Sequence, residues 1–170
     1  MISDSLLGIA TFCKRLNLFE RDLFSNYDRY ENRLIFVKLI YLFQSITGVS
    51  LGYSYFWHKA GPYSKEVWAI GYLFQKEGKD YSKEIEQKDI KFTDSSINKK
   101  IDLFYEKIKT LLNDSEKMEL AASLEYIRSE GISDKNLMEE LFKKKPKFQT
   151  KQQLVASMID NLNTIRKDFN

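Results

Sequence analysis

The sequence predicts a mainly α domain with one small β-hairpin (an α+β class), and three observations carry that expectation. Apolar residues recur at helical spacing through most of the 170-residue chain. Glycine and proline are scarce, at 7 and 2, which favours regular elements with short connections over a sandwich built from many turns. Two short segments depart from the helical pattern, one aromatic and one alternating, and these are the strand candidates. The expected architecture is a winged-helix-like unit, 1–94, packed on a helical unit, 95–170. The whole, 1–170, reads as one domain, because neither half is large enough to be comfortable alone.

The elements follow in order. Leu6, Ile9, Ala10, Cys13 and Leu16 predict a helix from about Ser5 to Leu18. The mixed aromatic stretch to Tyr30 reads as a connection with a helical turn. From about Asn32 to Ile46 apolar residues cover most of a helix circumference, as a central buried helix requires, and Gly48 stands at its expected stop. Leu51 to His58 reads as an aromatic strand, followed by the Gly61-Pro62 turn. Ser64 is a suitable N-cap for a helix from about Lys65 to Lys76 that ends at Gly78. Ile90 to Thr93 alternates and predicts the second strand of a hairpin within 79–94. Four further helical stretches follow: an amphipathic stripe from Ile97 to Leu112, a helix from about Glu116 to Glu130 closing at Gly131, one after Ser133 broken by Pro146, and a last one capped by Thr150.

Composition narrows the function. Basic residues number 27 against 24 acidic, a net charge of +3, weaker than a dedicated nucleic-acid binder usually shows and compatible with DNA. One cysteine, Cys13, excludes an internal disulfide and any cysteine-cluster metal site, and fits a reducing compartment. The N-terminus lacks a positive signal-peptide region, and the longest apolar run, Ile35 to Phe43, is short and interrupted by Lys38. The expectation is a soluble cytoplasmic protein with no membrane partner. No cofactor is expected. With so few glycines, no phosphate-cradling or dinucleotide loop is present.

His58 is the only histidine, so paired-histidine metal sites and a triad built on any other histidine are excluded. Beside a Gly-Pro turn, its expected role is structural. Asp80, Glu86 and Lys88 echo the order of acids and lysine in metal-dependent nucleases, which need two carboxylates on a divalent ion and a lysine near the phosphate. In a chain rich in Lys and Glu that order arises readily by chance. No catalytic or metal residues are assigned, and the chain is read as non-enzymatic.

Two binding readings remain. Tyr55, Trp57, His58, Pro62, Tyr63 and Ser64 surround the turn, and tyrosine and tryptophan beside a rigid turn suit a protein-binding hot spot. Trp57→Ala is then expected to weaken binding and spare the helical circular dichroism. The alternative is a winged-helix DNA-binding regulator using Lys65, Lys76, Lys79, Lys83, Lys88 and Lys91, with Glu66 and Glu77 opposing phosphate and no arginine available to read guanine. Lys143, Lys144 and Lys145 complement a helix C-terminus; together with Lys147 and Lys151 they alternatively form a patch for nucleic acid or an acidic partner.

Lys38-Leu39-Ile40-Tyr41-Leu42, an aromatic strand, and Gly61-Pro62-Tyr63-Ser64 before an acidic-apolar helix resemble the signature of the YwgA-like family, and more loosely the Panacea domain of SocA-type antitoxins. Met118 to Leu124 and Lys145 to Phe148 resemble the C-terminal half of YwgA-like proteins. Ala60 departs from the pattern, which often has an aromatic before Gly-Pro. The resemblance implies a helical module without catalytic residues that acts by protein contact, as antitoxin or adaptor. The partner it implies is a toxin or client protein. DNA and homo-oligomerisation stay open.

Overall fold

In the computed structural model, described over residues 1–170, the chain forms eight α-helices, three short 3-10 helices and one two-stranded antiparallel sheet. The α-helices are α1 (Asp4–Arg15), α2 (Asp22–Ser25), α3 (Tyr30–Thr47), α4 (Lys65–Gln87), α5 (Ser95–Ile108), α6 (Ser115–Ser129), α7 (Asp134–Lys144) and α8 (Gln152–Lys167). The strands are β1 (Phe56–His58) and β2 (Gly61–Tyr63). The mainly helical class with a small hairpin is therefore what the sequence predicts.

α3 is apolar around most of its circumference, and it is buried from Leu34 through Phe43, Lys38 included. It packs against α4, α5, α6 and the hairpin, so the two expected units share one core of 44 buried apolar residues. Gly48 closes α3 in the left-handed conformation at φ 72°. No helix is long and apolar enough to cross a membrane.

The structure corrects the sequence reading in the middle of the chain. The hairpin pairs Phe56 with Tyr63, Trp57 with Pro62 and His58 with Gly61. It therefore precedes α4, and Ile90–Thr93 is not a strand. No wing forms within 79–94, because α4 continues through Gly78 to Gln87. Gly78 is a point of close approach: a Cβ there would meet the Phe19 ring at 2.7 Å. Val67, Ile70, Phe74, Tyr81 and Ile85 continue one buried stripe along the helix. Phe74 locks it onto Phe19 and Phe24 at centroid distances of 5.2 and 5.4 Å. At the C-terminus, α8 begins at Gln152, with Lys151 at the cap position and no side-chain cap, rather than at Thr150.

Candidate functional site

The hairpin is held from beneath by two buried lysines. The Lys38 ammonium, on α3, donates to the Pro62 carbonyl, and Lys145, just past α7, donates to the Lys59 carbonyl at 2.9 Å. Lys145 also pairs with Glu119 of α6, whose other oxygen accepts from Lys147 at 2.8 Å. Lys38, Lys145 and Glu119 are 2, 5 and 6 % exposed. Charge of this kind stays buried only when its hydrogen bonds are satisfied. Gly61, at φ 87°, lets the turn sit against Ser123, whose hydroxyl would collide with a Cβ at that position. The loop before β1 is stapled to α3 by Gln44, which accepts from Leu51 N–H at 2.7 Å and donates to the Tyr53 carbonyl at 3.0 Å.

Burial lowers the Lys38 amine to about 7; Glu119 opposes that shift and Lys145 adds to it. Burial lowers Lys145 as well, against the pull of Glu119. Between pH 7 and Lys38's ordinary 10.5, the unfolded chain holds a proton that the folded chain has released, so stability rises with pH over that window. Relative to Lys38→Met, the native protein should gain about 2 kcal/mol between pH 7.5 and 9 in urea unfolding. A constant difference across that range contradicts the assignment.

Above this frame lies an aromatic face. Phe56 is 51 % exposed and meets Tyr63 at 5.6 Å and His58 at 6.3 Å. Tyr63 continues to Trp68 at 5.6 Å, and the Arg33 guanidinium lies over Trp68 at 5.0 Å. Arg33 also donates to the Tyr72 hydroxyl at 3.3 Å. Within this face is a cavity of about 320 Å³. Leu34, Val37, Tyr63 and Trp68 form its apolar walls, and Lys38, His58 and Lys59 are its basic residues; no acidic side chain lines it. Another cavity, about 300 Å³, is bordered by Arg21, Asp22, Arg29 and Glu31, whose charges offset one another.

The six turn residues expected as a binding site divide by their surroundings. His58 is exposed and Tyr63 half-buried on the aromatic face. Ser64 is buried and caps α4, accepting from Val67 N–H at 3.4 Å; Pro62 is buried beside it. Tyr55 donates to the Val37 carbonyl at 2.9 Å and packs at a tilt against Tyr41, with ring centroids 5.0 Å apart. Trp57 faces inward, against Tyr126 at 5.5 Å and beneath the ammonium groups of Lys144 and Lys145. The inward rings are thus anchors of the hairpin. Trp57→Ala should lower stability by about 1–2 kcal/mol by chemical denaturation, through lost packing and cation–π contact. Phe56, Trp68, Arg33 and Tyr30 complete the outer face and were missed. Their signal was present: Phe56 and His58 alternate around Trp57 on a strand, which puts them on one side.

The nuclease-like residues do not converge. Asp80 and Glu86 lie six residues apart on α4, about 120° apart around its axis. Glu86 pairs with Lys14 at 3.3 Å and Lys88 with Glu84 at 2.7 Å. No group of three or more His, Cys, Asp or Glu side chains is placed to hold a metal ion. Of the six lysines expected to touch DNA, Lys91 lies beyond α4 and pairs with Asp89. Lys88 is engaged as above. Lys65, Lys76, Lys79 and Lys83 remain exposed on α4. Compared with protein-family models, with characterised proteins and with solved structures, the chain has no significant match.

Proposed function

We propose that this chain is a non-enzymatic cytoplasmic binding module, antitoxin- or adaptor-like, that engages a protein partner through the aromatic face of the hairpin. The observation that carries the reading is the union of Phe56, Tyr63, Trp68 and Arg33 around an apolar cavity, on a hairpin fixed by Lys38 and Lys145. Tyrosine, tryptophan and arginine dominate interface hot spots because they offer large rigid contact area with a polar handle. A prepositioned hairpin limits the ordering cost of binding. The likeness of Lys38–Leu42 and Gly61–Ser64 to YwgA-like and Panacea-type modules supports the same reading, and in the fold these two segments meet, through Lys38 and the Pro62 carbonyl.

The test is photocrosslinking in cells with benzoylphenylalanine at position 56 or, as control, at Leu103 on α5. A discrete adduct should form from position 56. Excess wild-type protein should suppress it, and a Phe56→Ala, His58→Ala competitor should not. Equal adducts from both positions, or equal competition by the variant, would overturn the reading.

A second reading rests on α4. Lys65, Lys76, Lys79 and Lys83 fall within about 60° of arc along about 27 Å of helix; the Glu84–Lys88 pair lies off this stripe, and Glu86, paired with Lys14, borders it. Such a stripe suits the phosphate backbone of DNA without a wing. Fluorescence polarisation with a generic duplex should then show binding at low salt that falls steeply at physiological salt, by counterion release. Lys76→Glu, Lys79→Glu, Lys83→Glu should abolish it. No binding at low salt removes this reading.

A further inference from the structure

We propose that the cavity beside the hairpin receives one apolar side chain, preferably aromatic, from a partner segment whose flanking residues are acidic; this rests on the aromatic face being the contact surface. Size sets the first half of the proposal. About 320 Å³ lies at the bottom of the range for small-molecule sites and suits a single large side chain. The walls prefer an aromatic ring: Tyr63 and Trp68 stand edge to face at 5.6 Å and 60°, the arrangement that another ring extends.

Charge sets the second half. Two cations, Arg33 and Lys59, border the cavity or its rim, and neither has a carboxylate partner. Arg33 spends its guanidinium on the carbonyls of Tyr27 and Asp28 and on the Tyr72 hydroxyl, and its Nε is buried without a partner. Lys59 is exposed at the turn. Elsewhere on the molecule lysines and arginines commonly sit in ion pairs, as Lys107 with Asp168 and Lys151 with Glu116 do. Here, in contrast, unmatched positive charge surrounds an apolar hole. A partner carrying carboxylates on either side of its anchor supplies the missing charge, and one carrying lysines there is repelled.

The experiment uses short fluorescein-labelled peptides and the full chain. One has a central Trp between runs of Glu and Asp, one replaces that Trp with Ala, and one replaces the acids with Lys. The first should bind about tenfold or more tightly than either of the others. Phe56→Ala and Lys59→Glu should each weaken it, and Lys59→Glu should improve binding of the lysine peptide. Lys76→Glu, Lys79→Glu, Lys83→Glu, remote from the cavity, should leave the acidic-Trp peptide unaffected. Equal binding of the Trp and Ala peptides, equal binding of acidic and basic peptides, or no binding by any would overturn the proposal. So would free indole-3-acetate binding as tightly as the peptide, which would make the cavity a site for a small aromatic acid. A partner crosslinked at position 56 that carries no acidic segment at the contact would overturn this inference and leave the contact reading standing.

Discussion

Replacing Glu119 with Ala should lower the unfolding free energy by about 3–5 kcal/mol, because it strips the only carboxylate from a buried cluster of cations. Glu119 is 6 % exposed and lies between Lys145, itself 5 % exposed, and Lys147. Its field also reaches Lys38. Without it, Lys145 must either stay charged and unpaired in the interior or release its proton, and both cost the folded state. The hairpin suffers first, since Lys145 and Lys38 are the groups that hold the Lys59 and Pro62 carbonyls. Urea unfolding measures the loss. Adding Lys145→Met should recover a large part of it, because the orphaned charge then leaves with its partner. A loss below about 1 kcal/mol in the single variant would show that the cluster is not the clamp described.

The largest effect on binding is expected from the opposite side of the same hairpin. Phe56→Ala together with His58→Ala should weaken the partner complex by at least about 2 kcal/mol, roughly thirtyfold. Both side chains are exposed, so the urea midpoint and far-ultraviolet circular dichroism should stay at wild-type values. Trp57→Ala provides the contrast: it faces Tyr126 and Lys144, so its effect should be read in stability, with binding reduced only as far as the hairpin loosens. Titration of the crosslinked partner, once recovered, against the double variant and Trp57→Ala separates the two roles.

Much of this molecule was legible in its residues. α3 shows itself as an apolar helix because no polar stripe interrupts Leu34 to Phe43 apart from Lys38 and the half-polar Tyr41, and Gly48 marks its end by the left-handed conformation it takes. Ser64 caps α4 as its position before an acidic first turn suggests. Gly78 misled because a helix terminus and a close helix contact make the same demand, the absence of a side chain, and only the spacing of Phe74, Tyr81 and Ile85 tells them apart. That error displaced the hairpin to 79–94 and produced the expected wing. At the turn, the facing of the rings was not legible. Alternation along Phe56-Trp57-His58 states that neighbours point to opposite sides without stating which side meets the core. The buried contact of Lys38 was not legible: one lysine in an apolar run reads as an interruption, and its partner, the Pro62 carbonyl, is a backbone atom 24 residues away.

The central claim is that a partner protein seats on the aromatic face of the hairpin. Amide hydrogen exchange of the full chain, free and bound to the partner recovered by crosslinking, tests it most directly. Added protection is expected at Phe56–His58 and Gly61–Tyr63, in the first turns of α4, and at the start of α3 near Tyr30 and Leu34, with α5 and α8 unchanged. Protection confined to α5, α8 or the outer stripe of α4, with the hairpin exchanging as in the free protein, would contradict it.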